Sequence, residues 1–242
     1  MKRISLIPFF AALGLAACGS HHQAVRATRY VTPAAFYLQK ADSQAVKLAP
    51  PPVAGSAEDK SDLSVVHEWQ AKRSPNECAR AAVEADHPEY DSFFGGISPF
   101  PQPVPAEAAE FFQHVQADTF HIVDRLKREY DRTRPYGRDG TLHPCISAPK
   151  EARYSYPSGH SALGWVFGLV LSDLLPARHA EFLARAEEIA LDRVIGGVHH
   201  PSDVAAGRLL AEEIHAELLK NPVFRTDLEK VRVLLNAREA QR

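Results

Sequence analysis

Cysteine is scarce in this chain: three residues among 242, at positions 18, 78 and 145. So few thiols, so far apart, do not make a zinc site, which needs clustered ligands. An excess of charge of either sign is also lacking. Lys and Arg number 28 against 30 Asp and Glu, a formal net charge of -2 that gives no reason to expect nucleic acid as a partner. No series of alternating strand-like segments and no internal repeat is found. Long apolar runs are missing too: the run near the start and the one after residue 160 are both too short for a convincing membrane span. What remains, 45% hydrophobic and 24% charged residues, is the balance of a globular chain with one sizeable core.

The first residues read as a targeting segment. Lys2 and Arg3 form a basic start, ISLIPFFAALG a short apolar stretch, and small residues follow, as in a bacterial secretory signal over residues 1–17. Leu15-Ala16-Ala17-Cys18-Gly19 resembles a bacterial lipobox, in which Cys18 would become the lipid-bearing first residue. Ordinary cleavage nearby is the alternative. Either way the mature chain leaves the cytoplasm, and the expected location is the periplasm, anchored to a bacterial membrane. In that oxidising compartment Cys78 and Cys145 could pair as one disulfide, with two separate buried thiols as the alternative.

Residues 18–58, which include KLAPPPVAGSAEDK, read as an extended linker or arm, and residues 59–242 as a single all-α domain. Ser74 and Pro75 mark a helix start. From Ala106 to about Arg132, Phe112, Val115, Thr119, Val123, Leu126 and Tyr130 recur at steps of three and four, the mark of an amphipathic helix. SALGWVFGLVLSDLL is apolar nearly all round, which makes it the central core helix of the bundle. Three further helices are expected after it.

Three segments place donors or imidazoles at helix ends. Lys127 and Arg134 are seven apart, two turns, and are expected on one face of the amphipathic helix. Pro157-Ser158-Gly159-His160 supplies a cap and the free N-H groups of a helix start. Arg193 precedes a Gly196-Gly197 turn, then His199, and Asp203 four residues on, a spacing that lets a carboxylate hold an imidazole by one nitrogen. Each segment alone has a plain structural reading. Together they suit the chemistry of a phosphate ester.

The combined pattern, Lys-x6-Arg-Pro, Pro-Ser-Gly-His and Arg-x5-His-x3-Asp, resembles the phosphatidic acid phosphatase type 2 (PAP2) superfamily, and within it the class A bacterial acid phosphatases. The resemblance implies a helical bundle of the PAP2 and haloperoxidase type and hydrolysis of small phosphomonoesters without metal or cofactor. It implies His199 as nucleophile, Asp203 as its orienting acid and His160 as general acid and base. Lys127, Arg134, Arg193, Ser158 and Gly159 would hold the phosphoryl oxygens, and a homodimer is what the resemblance suggests. Asp192 stands where the family usually has Ser; a carboxylate pointing inward there lowers phosphate affinity, and one that faces solvent or pairs with a cation changes little. His200 is a rival nucleophile without the spacing. The other readings are a metal site built on His160, His199, His200 and Asp203, a phosphate-binding lipoprotein without turnover, a vanadate-dependent haloperoxidase, and a phosphatase acting on lipid phosphates at the membrane surface.

Overall fold

Ser56 and Ser74 each accept a hydrogen bond from the backbone three residues on, and Glu77 returns the favour to Ser74 in a full capping box. These caps start the second and third of ten α-helices in the computed structural model, which describes residues 35–239. The expected signal segment and Cys18 lie outside the described residues. In chain order the helices are α1 (Lys40–Ala45), α2 (Ala57–Lys72), α3 (Pro75–Asp86), α4 (Tyr90–Phe94) and α5 (Ala106–Tyr130). Then come α6 (Pro135–Arg138), α7 (Gly159–Leu174), α8 (His179–Ile195), α9 (Pro201–Lys220) and α10 (Pro222–Glu239). The chain is all-α, with no strand among the described residues. None of these helices is long and apolar enough to cross a membrane.

α7 lies at the centre, packed on α8, α9 and α5, and its apolar circumference is buried on every side, from Ala162 and Leu163 to Leu171 and Leu174. Phe167 meets Phe93, Phe94, Tyr90 and Phe112 edge to face, so α4 and α5 are tied to the central helix by aromatic contacts of about 1 kcal/mol each beyond burial. At Gly207 a side chain would meet Ser161 Cβ at 2.7 Å and the Ser158 carbonyl at 2.8 Å. Its absence lets α9 press against the start of α7, where two of the motifs meet.

The arm expected over residues 18–58 is, in its described part, seated on the bundle. Tyr37 and Leu38 are buried in the main core, the Phe36 and Tyr37 N-H groups donate to Asp118 of α5, and α1 follows. Cys78 of α3 and Cys145 form a disulfide, which pins α3 to the irregular stretch before α7. The Cys145 N-H also donates to the Gly196 carbonyl at 3.1 Å, so this stretch is held against the end of α8 as well.

Candidate active site

α5 ends at Tyr130, the last of its periodic apolar residues and just short of the end expected near Arg132. Asp131, at φ 42°, caps it in the left-handed region, and Arg134 lies beyond, as the N-cap of α6. The expected shared helical face of Lys127 and Arg134 is therefore corrected: residues 132–134 lie outside any helix, with Arg134 extended, and are bonded through Arg134 N-H to the Ala152 carbonyl and through Ser155 N-H to the Arg132 carbonyl. An extended segment puts alternate residues on one side, and Arg132 and Arg134 are buried while Thr133 is exposed. Arg134 donates to the Val198 carbonyl (2.9 Å) and to His199 Nε2 (3.2 Å). Lys127 stays on α5, where Nζ donates to the carbonyl of Tyr154, a residue itself at φ 59°.

The other two motifs close the site. Gly197, at φ 79°, reverses the chain after α8, and Pro201 starts α9 with His200 as N-cap. Asp203 at the third position accepts the His200 N-H (2.8 Å), so the expected orienting acid also caps its helix. The same carboxylate oxygen accepts from Ser155 Oγ at 2.5 Å and faces His199 Nδ1 at 3.4 Å. Because the guanidinium of Arg134 can only donate, Nε2 of His199 must accept, which leaves the ring proton on Nδ1 towards Asp203. That is the tautomer in which Nε2 carries an electron pair, here accepting from Arg134. Ser158, fully buried, caps α7, and its N-H donates to the Asp203 carbonyl at 2.9 Å. Gly159 and His160 are the first residues of that helix, and His160 Nε2 donates to the Ala85 carbonyl of α3 at 3.3 Å.

The electrostatics are those of cations gathered out of water. Burial lowers the pKa of Lys127, His160 and His199, and a neighbouring arginine adds to it in each case: Arg134 for Lys127 and His199, Arg193 for His160. Burial, then Arg134, brings Arg193 down to about 10. For Asp203 burial pushes upward, but hydrogen bonds from His199 and His200 outweigh it and hold the carboxyl well below its ordinary range. Arg193 is only 4% exposed, yet its Nε and Nη1 have no hydrogen-bond partner among the described residues. A buried guanidinium with unmade bonds costs free energy unless an anion completes it.

Asp192 is fully buried and bidentate on Arg80 of α3, with Nε at 2.9 Å and Nη2 at 2.6 Å, so a cation neutralises it. His200 presents Nδ1 to Asp203 (3.0 Å) and Nε2 to Arg138 (3.2 Å), an arginine itself held by Asp59, so its ring is turned to the ion pairs of α2. Among the described residues no group of three or more His, Cys, Asp or Glu is arranged to hold a metal ion. The sequence reading missed the ionic layer behind His199. Arg132 reaches Asp203, Asp59 and Asp62, Arg138 grips Asp59, and Ser202 joins Asp62. A second arginine two residues before Arg134 was its one visible sign.

Residues 110–223, which contain all three motifs, match the model of the PAP2 superfamily. The chain is also 32% identical over 216 residues to a non-specific acid phosphatase of Providencia stuartii, covering 83% of this chain and 84% of that protein. The chain belongs to the PAP2 superfamily. A second relative, the non-specific acid phosphatase of Salmonella typhimurium strain LT2, is 41% identical over 119 residues, 48% of each chain. The PAP2 fold is seen again in the crystal structure of a bacterial vanadium-dependent iodoperoxidase, with a TM-score of 0.59 at 19% identity over 74% of this chain and 53% of that one.

Proposed function

We propose that the protein is an acid phosphatase that hydrolyses small phosphate monoesters through a phosphohistidine, without a metal ion. The observation that carries this reading is the buried Arg193 guanidinium, with Nε and Nη1 unpartnered, beside Arg134 and the Nε2 electron pair of His199. Three cations, Lys127, Arg134 and Arg193, converge on one place where a phosphoryl group would complete their bonds. The N-terminal N-H groups of α7 at Gly159 and His160 add donors.

In the first step His199 Nε2 forms a bond to phosphorus and the ester P–O bond breaks. The departing oxygen takes a proton from His160. Asp203 steadies the positive ring through the Nδ1 proton. In the second step His160 removes a proton from water, whose oxygen attacks phosphorus. The P–N bond then breaks and inorganic phosphate leaves. His160 must hold a proton when the ester departs; burial first and Arg193 next lower its pKa, and a dianionic substrate offsets the part due to the arginines. Export by the first 17 residues and lipidation at Cys18 belong to the same proposal, as does a homodimer.

Release of nitrophenol from p-nitrophenyl phosphate with and without EDTA tests this, together with the His199→Ala variant and acid trapping of enzyme-bound phosphate. Turnover that survives EDTA, vanishes in the variant and leaves acid-labile, base-stable phosphate on the protein is the expected result. Loss with EDTA overturns metal independence, and persistent turnover in the variant overturns the role of His199.

A further inference from the structure

Asp203 divides its two oxygens between different tasks. Oδ2 faces His199, His200 and Ser155, while Oδ1 accepts from Arg132 Nη1 at 2.7 Å. Arg132 is nearly buried and is pulled the other way by α2: its Nη2 lies 2.8 Å from Asp62 and 3.2 Å from Asp59. Arg138 shares Asp59, with two bonds of 2.7 Å, and Ser202 N-H donates to Asp62 at 3.0 Å. One guanidinium is therefore held between the carboxylate behind His199 and two carboxylates that touch nothing in the phosphate site.

His199 attacks only as the neutral imidazole. A carboxylate facing Nδ1 with its whole charge favours the imidazolium, whereas one shared with a guanidinium favours it less. The other groups acting on His199 are Lys127 from α5, Arg134 from the extended connector and His160 from α7, with Arg193 of α8 acting on His160 and Lys127. None of these contacts Arg132. The Asp203 charge is thus the one part of this field that α2 can adjust through Arg132.

We propose that Arg132 is a positioning residue that sets how much of the Asp203 charge His199 feels, and so the lowest pH at which the nucleophile is available, with Asp59 and Asp62 of α2 as the counterweight. The kinetic consequence rests on the phosphatase reading of the site; the electrostatic one does not. Removing the Arg132 charge strengthens the imidazolium. Removing the Asp62 charge leaves more of Arg132 for Asp203 and weakens it. The two changes act with opposite signs, which a loss of structure does not produce.

The test follows His199 in the histidine-labelled full chain by NMR titration, alongside kcat/KM for p-nitrophenyl phosphate against pH, in the wild type, Arg132→Met, Arg132→Lys and Asp62→Asn. Ionisation of the substrate is common to all four, so differences in the acid limb belong to the protein. Arg132→Met is expected to raise the His199 titration and the limb by about one pH unit, about a tenfold loss of rate at the acid end. Asp62→Asn lowers both, by about half a unit. Arg132→Lys keeps the limb in place while its plateau drops. Shifts of opposite sign in Arg132→Met and Asp62→Asn uphold the proposal; titrations of these two that coincide with the wild type, or a fallen plateau with an unmoved limb in Arg132→Met, overturn it. Should Arg132→Met not fold, the downward shift in Asp62→Asn decides alone. If the wild type turns over no substrate, the phosphatase reading fails, while the NMR titrations still decide the role of Arg132.

Discussion

Two arginines stand on either side of His199 and are treated oppositely by the fold. Arg132, on the Nδ1 side, is buried with its terminal nitrogens bonded to three carboxylates and a serine. Arg193, on the other side, is buried with Nε and Nη1 bonded to nothing among the described residues. Folding desolvates both, but it compensates only the first. An arginine satisfied by the protein maintains structure, and one left unsatisfied is kept for a ligand.

The sharpest way to break this contrast is to replace each guanidinium by an apolar chain of similar length. Arg193→Met is expected to lose about a thousandfold in kcat/KM on p-nitrophenyl phosphate, as removal of an oxyanion donor does. The same change should stabilise the fold by about 1 kcal/mol, because the unmade bonds disappear with the charge. Arg132→Met should instead cost about 3–5 kcal/mol, since Asp59, Asp62 and Asp203 are left buried without their shared partner. Urea unfolding at pH 7 measures both. Equal destabilisation of the two variants would end the distinction.

α3 belongs to the Arg193 side, since it presents Arg80 to Asp192 and the Ala85 carbonyl to His160. It is fastened by the Cys78–Cys145 disulfide, which closes a separation of 67 residues. On chain entropy the double variant Cys78→Ser/Cys145→Ser should lose about 4 kcal/mol in urea unfolding. A loss near zero would show that ion pairs alone hold α3 in place.

The motifs were legible because their spacing in the sequence survives any error about the path of the chain between them. Lys127 and Arg134 do meet at the site, although the helical face that was expected to align them does not exist. The step after Asp131 was half visible: Pro135 keeps Arg134 out of the helical region, but nothing in the sequence puts Asp131 in the left-handed conformation that ends α5. The α2 layer was beyond reach for another reason: Asp59 and Asp62 meet Arg132 across 73 and 70 residues, and such pairings leave no periodic trace. Ser155 stands two residues before Pro157-Ser158-Gly159-His160, but its bond to Asp203 exists only in the folded chain. The central helix was plain because a segment apolar on every face has no place but the interior.

A buried acid on the Arg193 side gives a pH signature. Burial outweighs Arg185 and raises Glu84 to about 7, and its Oε2 has no hydrogen-bond partner among the described residues. An acid whose folded pKa is raised stabilises the fold below its unfolded pKa, and that contribution fades as pH rises through the window from about 4.5 to about 7. Glu84→Gln removes the titration. Relative to the variant, the wild type should lose on the order of 3 kcal/mol between pH 4 and pH 8, read from urea midpoints at both. Parallel pH curves for the two proteins would mean that Arg185 keeps Glu84 ionised throughout.

Asp192 gives the smallest effect and tests the contrast at its edge. Its charge stands next to Arg193 in the chain, yet the carboxylate is spent on Arg80, whose side chain is 41% exposed and also lies 3.5 Å from Glu188. In Asp192→Asn the arginine can turn to water and to Glu188, so stability should change by no more than about 1 kcal/mol. Inhibition by inorganic phosphate should tighten by about threefold or less, because the lost negative charge was already neutralised. Tightening by tenfold would mean that the Asp192 charge reaches the phosphate site past Arg80. The unsatisfied side of His199 would then contain a built-in brake on anion binding, and Arg193 would be poised by an acid as Arg132 is.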